Sequence, residues 1–148
     1  MNIEQILKEW ADDSVIDQIA LDDATIKGAR LHSKYLELLV HARGKLKAFN
    51  HQLEKLKKDK WLYYTGKMSK QQIDDRGWPY DPFDGASKPL RSDLDYYIKS
   101  DDDLQKVLIK IEYQEEMVEL LTEIINTLKW RHQAIKNIIE WRKFQAGA

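Results

Sequence analysis

The sequence predicts an all-α fold: two long helices folded back as an antiparallel hairpin, with a short N-terminal helix and a proline-rich connector, assembling into a homo-oligomer. Three observations carry that expectation. Charged residues make up 33% of the 148, against only six glycines and three prolines. That composition suits helices better than a β-sandwich or a disordered chain. Two long stretches repeat apolar residues at steps of three and four, the period of a helical seam. All three prolines, Pro79, Pro82 and Pro89, fall between those stretches. The length predicts one domain with a modest core. Residues 1–66 would hold the N-terminal helices, 67–100 the connector and 101–148 an oligomerisation helix.

Taken in order, Leu7 and Trp10, with Ile3 or Ile6, give a short amphipathic start that breaks near Asp12-Asp13-Ser14. A long helix then runs from about Asp22 to Tyr64. Its apolar stripe is Leu31, Tyr35, Leu38, Ala42, Leu46, Phe49, Leu53 and Leu56. Gly28 and Gly44 interrupt it, each costing about 1 kcal/mol relative to alanine, and mark kinks or close crossings. Thr65-Gly66 reads as its stop. Proline lacks an amide donor and clashes inside helices, so RGWPYDPFDGASKPL belongs to a connector with short helices only. Ser69 to Asp75 and Ser92 to Lys99 are the candidates. Ser100-Asp101-Asp102-Asp103 then opens a second long helix, because Ser or Asp caps the first turn and carboxylates favour its positive dipole end. It reaches about Phe144 and ends in the small or polar tail Gln145-Ala146-Gly147-Ala148. Each long helix would span roughly 60 Å.

The second long helix has more apolar surface than one partner helix covers. One stripe is Val107, Ile111, Val118, Leu121, Ile125, Leu128, Ile135 and Ile139. A neighbouring stripe is Leu104, Leu108, Met117, Leu120, Ile124, Ala134, Ile138 and Trp141. A large exposed apolar patch needs a cover. Either the short N-terminal helix supplies it or copies of the chain do. Self-association is the expectation, with Leu120, Ile124, Ile138 and Trp141 as candidate interface residues.

Residues 43–70 carry nine Lys or Arg against two Asp or Glu, in a chain whose net charge is −1. On a helical wheel Arg43, Lys47, His51, Lys55 and Lys58 fall opposite the apolar stripe, as a positive ridge. Lys57 and Lys58 precede Trp61 by four and three residues, so both neighbour its ring. Lys60 falls by phase on the apolar side, so either the hairpin core ends before it or it faces a partner subunit or the bound strand. Cations interleaved with aromatic rings suit single-stranded nucleic acid, which presents phosphates and unstacked bases together. The candidate nucleic-acid-binding residues are Arg43, Lys47, Lys55, Lys57, Lys58, Lys60 and Trp61. A second reading stays open: these lysines pair with the acidic start of the second long helix, Asp101 to Glu123, in a coiled-coil assembly protein that touches no nucleic acid.

Other chemistries find no support in the sequence. Without cysteine there is no disulfide framework, thiol nucleophile or Cys-ligated zinc. His32, His41, His51 and His132 lack metal-ligand spacing. Asp101 to Asp103 read as a helix N-terminal charge cluster, and DPFDG lacks the ligand alternation of a calcium loop. There is no phosphate-cradling glycine loop, nucleophile motif, helix-turn-helix or zinc-finger pattern. The expectation is a non-enzymatic protein with no cofactor and no metal. The N-terminus predicts no signal peptide, and no apolar run is long enough for a membrane span.

The segments LHSKYL (31–36), KDKWLYYTG (58–66) and AIKNIIEWRKFQAGA (134–148) resemble the UvsY family, the recombination mediators of T-even-type phages. The resemblance spans both long helices and is weakest over residues 67–100. It implies a protein that binds single-stranded DNA and helps a RecA-like phage recombinase load onto strands covered by the phage single-strand-binding protein. It further implies ring-like homo-oligomers that wrap the strand, a C-terminal region needed for assembly, and the cytoplasm of an infected host cell. The family's DNA-binding motif, a Lys-x-Arg beside Leu and a Tyr-Tyr-x-Gly, corresponds here to Lys58-Asp59-Lys60, then Trp61-Leu62, then Tyr63-Tyr64-Thr65-Gly66. Lysine at 60 keeps the charge of that motif without guanidinium's planar fork, and Asp59 adds a nearby negative charge. Trp61 would supply stacking.

Overall fold

The computed structural model describes residues 1–147; Ala148, the end of the predicted tail, lies outside them. The described residues form helices α1 (Ile3–Asp13), α2 (Leu21–Tyr64), α3 (Lys70–Arg76), α4 (Leu94–Lys99) and α5 (Asp102–Gln145), with a 3₁₀ turn at Arg91–Asp93 and no strand. The fold is all-α, and α2 and α5, of 44 residues each, are its two long helices. None of the described helices is long and apolar enough to cross a membrane. Helix ends lie within two residues of those expected, because the local chemistry that fixes them is in the sequence. Asn2 and Gln5 cap α1 reciprocally, as Ser69 and Gln72 cap α3. Gly66 and Gly77 take the left-handed conformation just beyond α2 and α3, with φ of 73° and 70°.

The chain gathers into two compact units, Met1–Lys45 with the chain from Gln114, and Leu46–Tyr113. Both long helices contribute to each unit.

In the first unit, α2 and α5 pack antiparallel around Leu31, Tyr35, Leu39, Ala42, Leu121, Ile124, Ile125 and Leu128. Ile6 of α1 joins this core, with Ile3 and Trp10 packed against it. The N-terminal helix thus covers part of the second α5 stripe. Polar ties seat it: Lys34 Nζ lies 2.8 Å from Glu9 and 2.7 Å from Asp13, and the Tyr35 hydroxyl donates to Asp13 at 2.9 Å. Arg131, 7% exposed, donates to the carbonyls of Ser14 at 3.1 Å and Val15 at 3.3 Å, where α1 ends and its last carbonyls lack helical partners. Gln114, also buried, donates to the Ala42 carbonyl at 3.0 Å.

In the second unit, Leu53 of α2 packs with Leu104, Val107 and Ile111 of α5. Leu46, Phe49 and Leu56 line this core, as the α2 stripe predicts. A smaller cluster of Tyr63, Met68 and Ile73, with Leu62 and Trp78 against it, anchors the chain after α2.

α2 is continuous through both glycines. At Gly28 an added Cβ would sit 3.5 Å from the Arg131 side chain, and at Gly44 it would meet nothing. Neither glycine is required by a tight crossing.

Candidate nucleic-acid interface

The candidate interface is built on the half of α2 that lies in the second unit. Its apolar positions face the Leu53–Val107 core, so the residues out of phase with them face solvent. Lys47, His51, Lys55, Lys57 and Lys58 are all exposed there, and Arg43 is exposed on the part of α2 that lies in the first unit. Among the described residues, Arg43, Lys47, Lys55 and Lys58 take part in no ion pair, whereas Lys57 sits 3.4 Å from Glu54 one turn earlier. Both members of that pair are exposed, so the contact is weak. The acidic start of α5 therefore does not absorb this row of charge.

Trp61, 44% exposed, stands in the last turn of α2. Lys67, just past Gly66, holds its ammonium 4.3 Å from the centre of the Trp61 ring. That is a cation–π contact, drawing on the ring's negative face.

Lys60 departs from the expectation of a free cation. It is 3% exposed. Its Nζ lies 3.0 Å from Asp101 and 2.9 Å from Asp103, and 3.8 Å from the centre of the Trp78 ring. The reason is phase: residue 60 continues the apolar side of α2, where the first turn of α5 meets it. Asp101 is the hub of this cluster. Its Oδ2 accepts from the Tyr64 hydroxyl at 2.7 Å. Its Oδ1 caps α5, accepting from the backbone of Asp103 at 2.9 Å and Leu104 at 3.2 Å. Burial pushes the Asp101 carboxyl up, but the hydrogen bonds from Tyr64, Lys60 and Leu104 outweigh it and hold the group below the usual carboxylate range. Burial, and then donation to Asp101, push the Tyr64 phenol well above its ordinary value. Asp59 is not a counterion for its neighbours in the motif; it pairs with Arg76 at 3.4 Å. Of the two lysines in Lys58-Asp59-Lys60, one faces solvent and the other is committed to the interior.

The residues expected at an oligomer interface divide similarly. Ile124 is 2% exposed and belongs to the core of the first unit, which removes it from any surface. Leu120 is half-buried against the same core, on the stripe that α1 shares. Ile138 is half-buried, while Trp141 is exposed and stacks on the exposed Phe144 with ring centres 5.5 Å apart. Periodicity alone had not singled out Lys88 and Arg91, which the fold brings round the same cleft as Trp61. Their segment reads as loop, and no period links it to α2. Trp78 over Lys60 was missed for the same reason.

Comparison with known proteins agrees with this architecture. No curated protein matches the chain significantly in sequence. Among solved structures, the recombination mediator protein UvsY of bacteriophage T4 superposes in its lattice type II crystal form with a TM-score of 0.82 and 22% identity, over 99% of this chain and 98% of that one. Its lattice type IV form gives a TM-score of 0.79 and 21% identity, over 98% and 99%. At such identity the likeness speaks for the fold alone. The sequence model of the family described as "Recombination, repair and ssDNA binding protein UvsY" matches residues 9–148. With nearly its whole length matched in this way, the chain belongs to the UvsY family.

Proposed function

We propose that this protein binds single-stranded DNA through the exposed basic face of α2, and that it acts as a recombination mediator. In this reading it promotes the loading of a RecA-like phage recombinase onto strands covered by single-strand-binding protein. The observation that carries the reading is a row of exposed cations, Lys47, Lys55 and Lys58, that form no ion pair among the described residues, beside the exposed ring of Trp61. Unpaired cations at the surface of a nearly neutral chain release counterions when they meet phosphates, and that release drives binding. Family membership supports the same reading.

The protein is proposed to work as a homo-oligomer, with Ile138 and Trp141 of α5 contributing to the contact between copies. The row on one copy is short and binds weakly. Copies held together raise the effective concentration of every further row and so the avidity for a long strand. Strand exchange and ATP use belong to the recombinase in this scheme.

The test is the joint replacement Lys47→Ala, Lys55→Ala and Lys58→Ala, with binding of a labelled single strand followed across salt concentrations. Each lost phosphate contact should flatten the plot of log affinity against log salt by about 0.7. A slope equal to that of the unaltered protein would refute the assignment.

A further inference from the structure

The last turn of α2 forms one wall of a cleft of about 400 Å³ in the second unit. Trp61 lines it together with Lys67, Lys88, Arg91, Leu94 and Asp95. The volume lies within the range of small-ligand sites. Its lining combines four features. Trp61 presents an aromatic surface that is 44% exposed. Lys67 lies over that ring at 4.3 Å and adds a cation to the cleft. Lys88 and Arg91 add exposed positive charge from the connector. Asp95 supplies a carboxylate acceptor, and Leu94 an apolar surface.

This mixture does not suit an isolated phosphate. An inorganic anion would meet the cations, leave Trp61 and Leu94 unused and be opposed by Asp95. It does suit a nucleotide, whose flat base stacks on an indole while its phosphates meet lysine and arginine. A carboxylate accepts from the exocyclic amine of a base such as cytosine. Lys57 and Lys58, one turn before Trp61 on α2, are its neighbours on the helix surface.

We propose that this cleft takes one unstacked base of the bound DNA strand, with Trp61 as the stacking platform and Lys88 and Arg91 as contacts for the flanking phosphates. The proposal rests on the reading of the chain as a strand-binding protein and adds a base-recognising site to a grip that is otherwise made to phosphates.

The full-length protein would be titrated with a labelled single strand and with an abasic strand of the same length, by fluorescence anisotropy. The unaltered protein should prefer the base-bearing strand. Trp61→Ala should lose that preference, weakening base-bearing binding by about 5-fold or more while abasic binding stays unchanged, and Trp61→Phe should keep most of it. Lys88→Ala with Arg91→Ala, both on exposed positions, should weaken both strands and lower the salt slope by about 0.7 per lost contact. Equal affinity of the unaltered protein for the two strands would overturn the cleft and leave the phosphate grip standing. So would an equal loss on both strands in a Trp61→Ala protein of normal helicity. Binding of neither strand by the unaltered protein would sink both readings together.

Discussion

Lys58 and Lys60 are two residues apart and answer to different physics. Lys58 is exposed, and replacing it with alanine should change stability by no more than about 0.5 kcal/mol while weakening strand binding. Lys60 is buried against Asp101 and Asp103. Removing one partner of a buried pair leaves an uncompensated charge, at a cost of roughly 3–5 kcal/mol. Lys60→Ala should therefore lower the urea midpoint strongly, and its effect on DNA binding should follow from unfolding. A midpoint within error of the unaltered protein would show that the pair does not matter. Asp101 makes the same cluster pH-dependent. Its carboxyl is held below its ordinary range in the fold, as is that of Asp13, where hydrogen bonds from Lys34 and Tyr35 overcome the upward push of burial. A group with a depressed folded pKa contributes stability above its unfolded value, near 3.9, and that contribution is lost as pH falls through the folded value. Stability should thus fall below about pH 4, and Asp101→Asn should flatten that fall in denaturation curves taken across the acid range. Motif likeness foretold the positive charge at 60. Helical phase put the residue on the apolar side of α2, yet the sequence reading still counted it among the DNA-binding cations, because only the fold shows the carboxylates that hold it inside.

At the scale of the helix, Gly44 is a position where local preference and fold disagree. It lies inside α2 with no positive φ and with open space where a Cβ would go. Gly44→Ala should stabilise the protein by roughly 0.5–1 kcal/mol, raising the melting temperature by about 1–4 °C for a chain of this size. No change, or a fall, would refute the reading of Gly44 as a weak point of the helix. The end of α1 and the limits of α2 and α5 were legible in the sequence because caps, glycines and the three-four period are local signals. The partner of each α5 stripe was not, because periodicity says which face is apolar and not what covers it. Ile6, Ile3 and Trp10 take the Leu120–Ile124 part of that surface, and a short helix advertises no destination. Arg131 was silent for the same reason: its role depends on the carbonyls of Ser14 and Val15, more than a hundred positions away.

At the scale of the whole molecule, the proposed assembly rests on what α1 leaves uncovered. Trp130, Trp141 and Phe144 are 71%, 60% and 71% exposed, a density of large aromatics on a surface that marks contact sites. Trp141→Glu should yield smaller species by analytical ultracentrifugation while leaving helicity unchanged; an unaltered mass would remove this end of α5 from the contact. Ile124→Glu is a different experiment. It places a carboxylate in the core of the first unit, so it should lower stability whatever the subunit number.

The guanidinium of Arg131 moors the end of α1 from far along the chain. Any truncation from the C-terminus that passes that arginine loses two things at once: the aromatic end of α5, and the clasp that keeps the first helix seated over Ile124. Failure of such a fragment to associate would then say as much about a loosened N-terminus as about a missing contact. A cut placed between Arg131 and Trp141 separates the two losses.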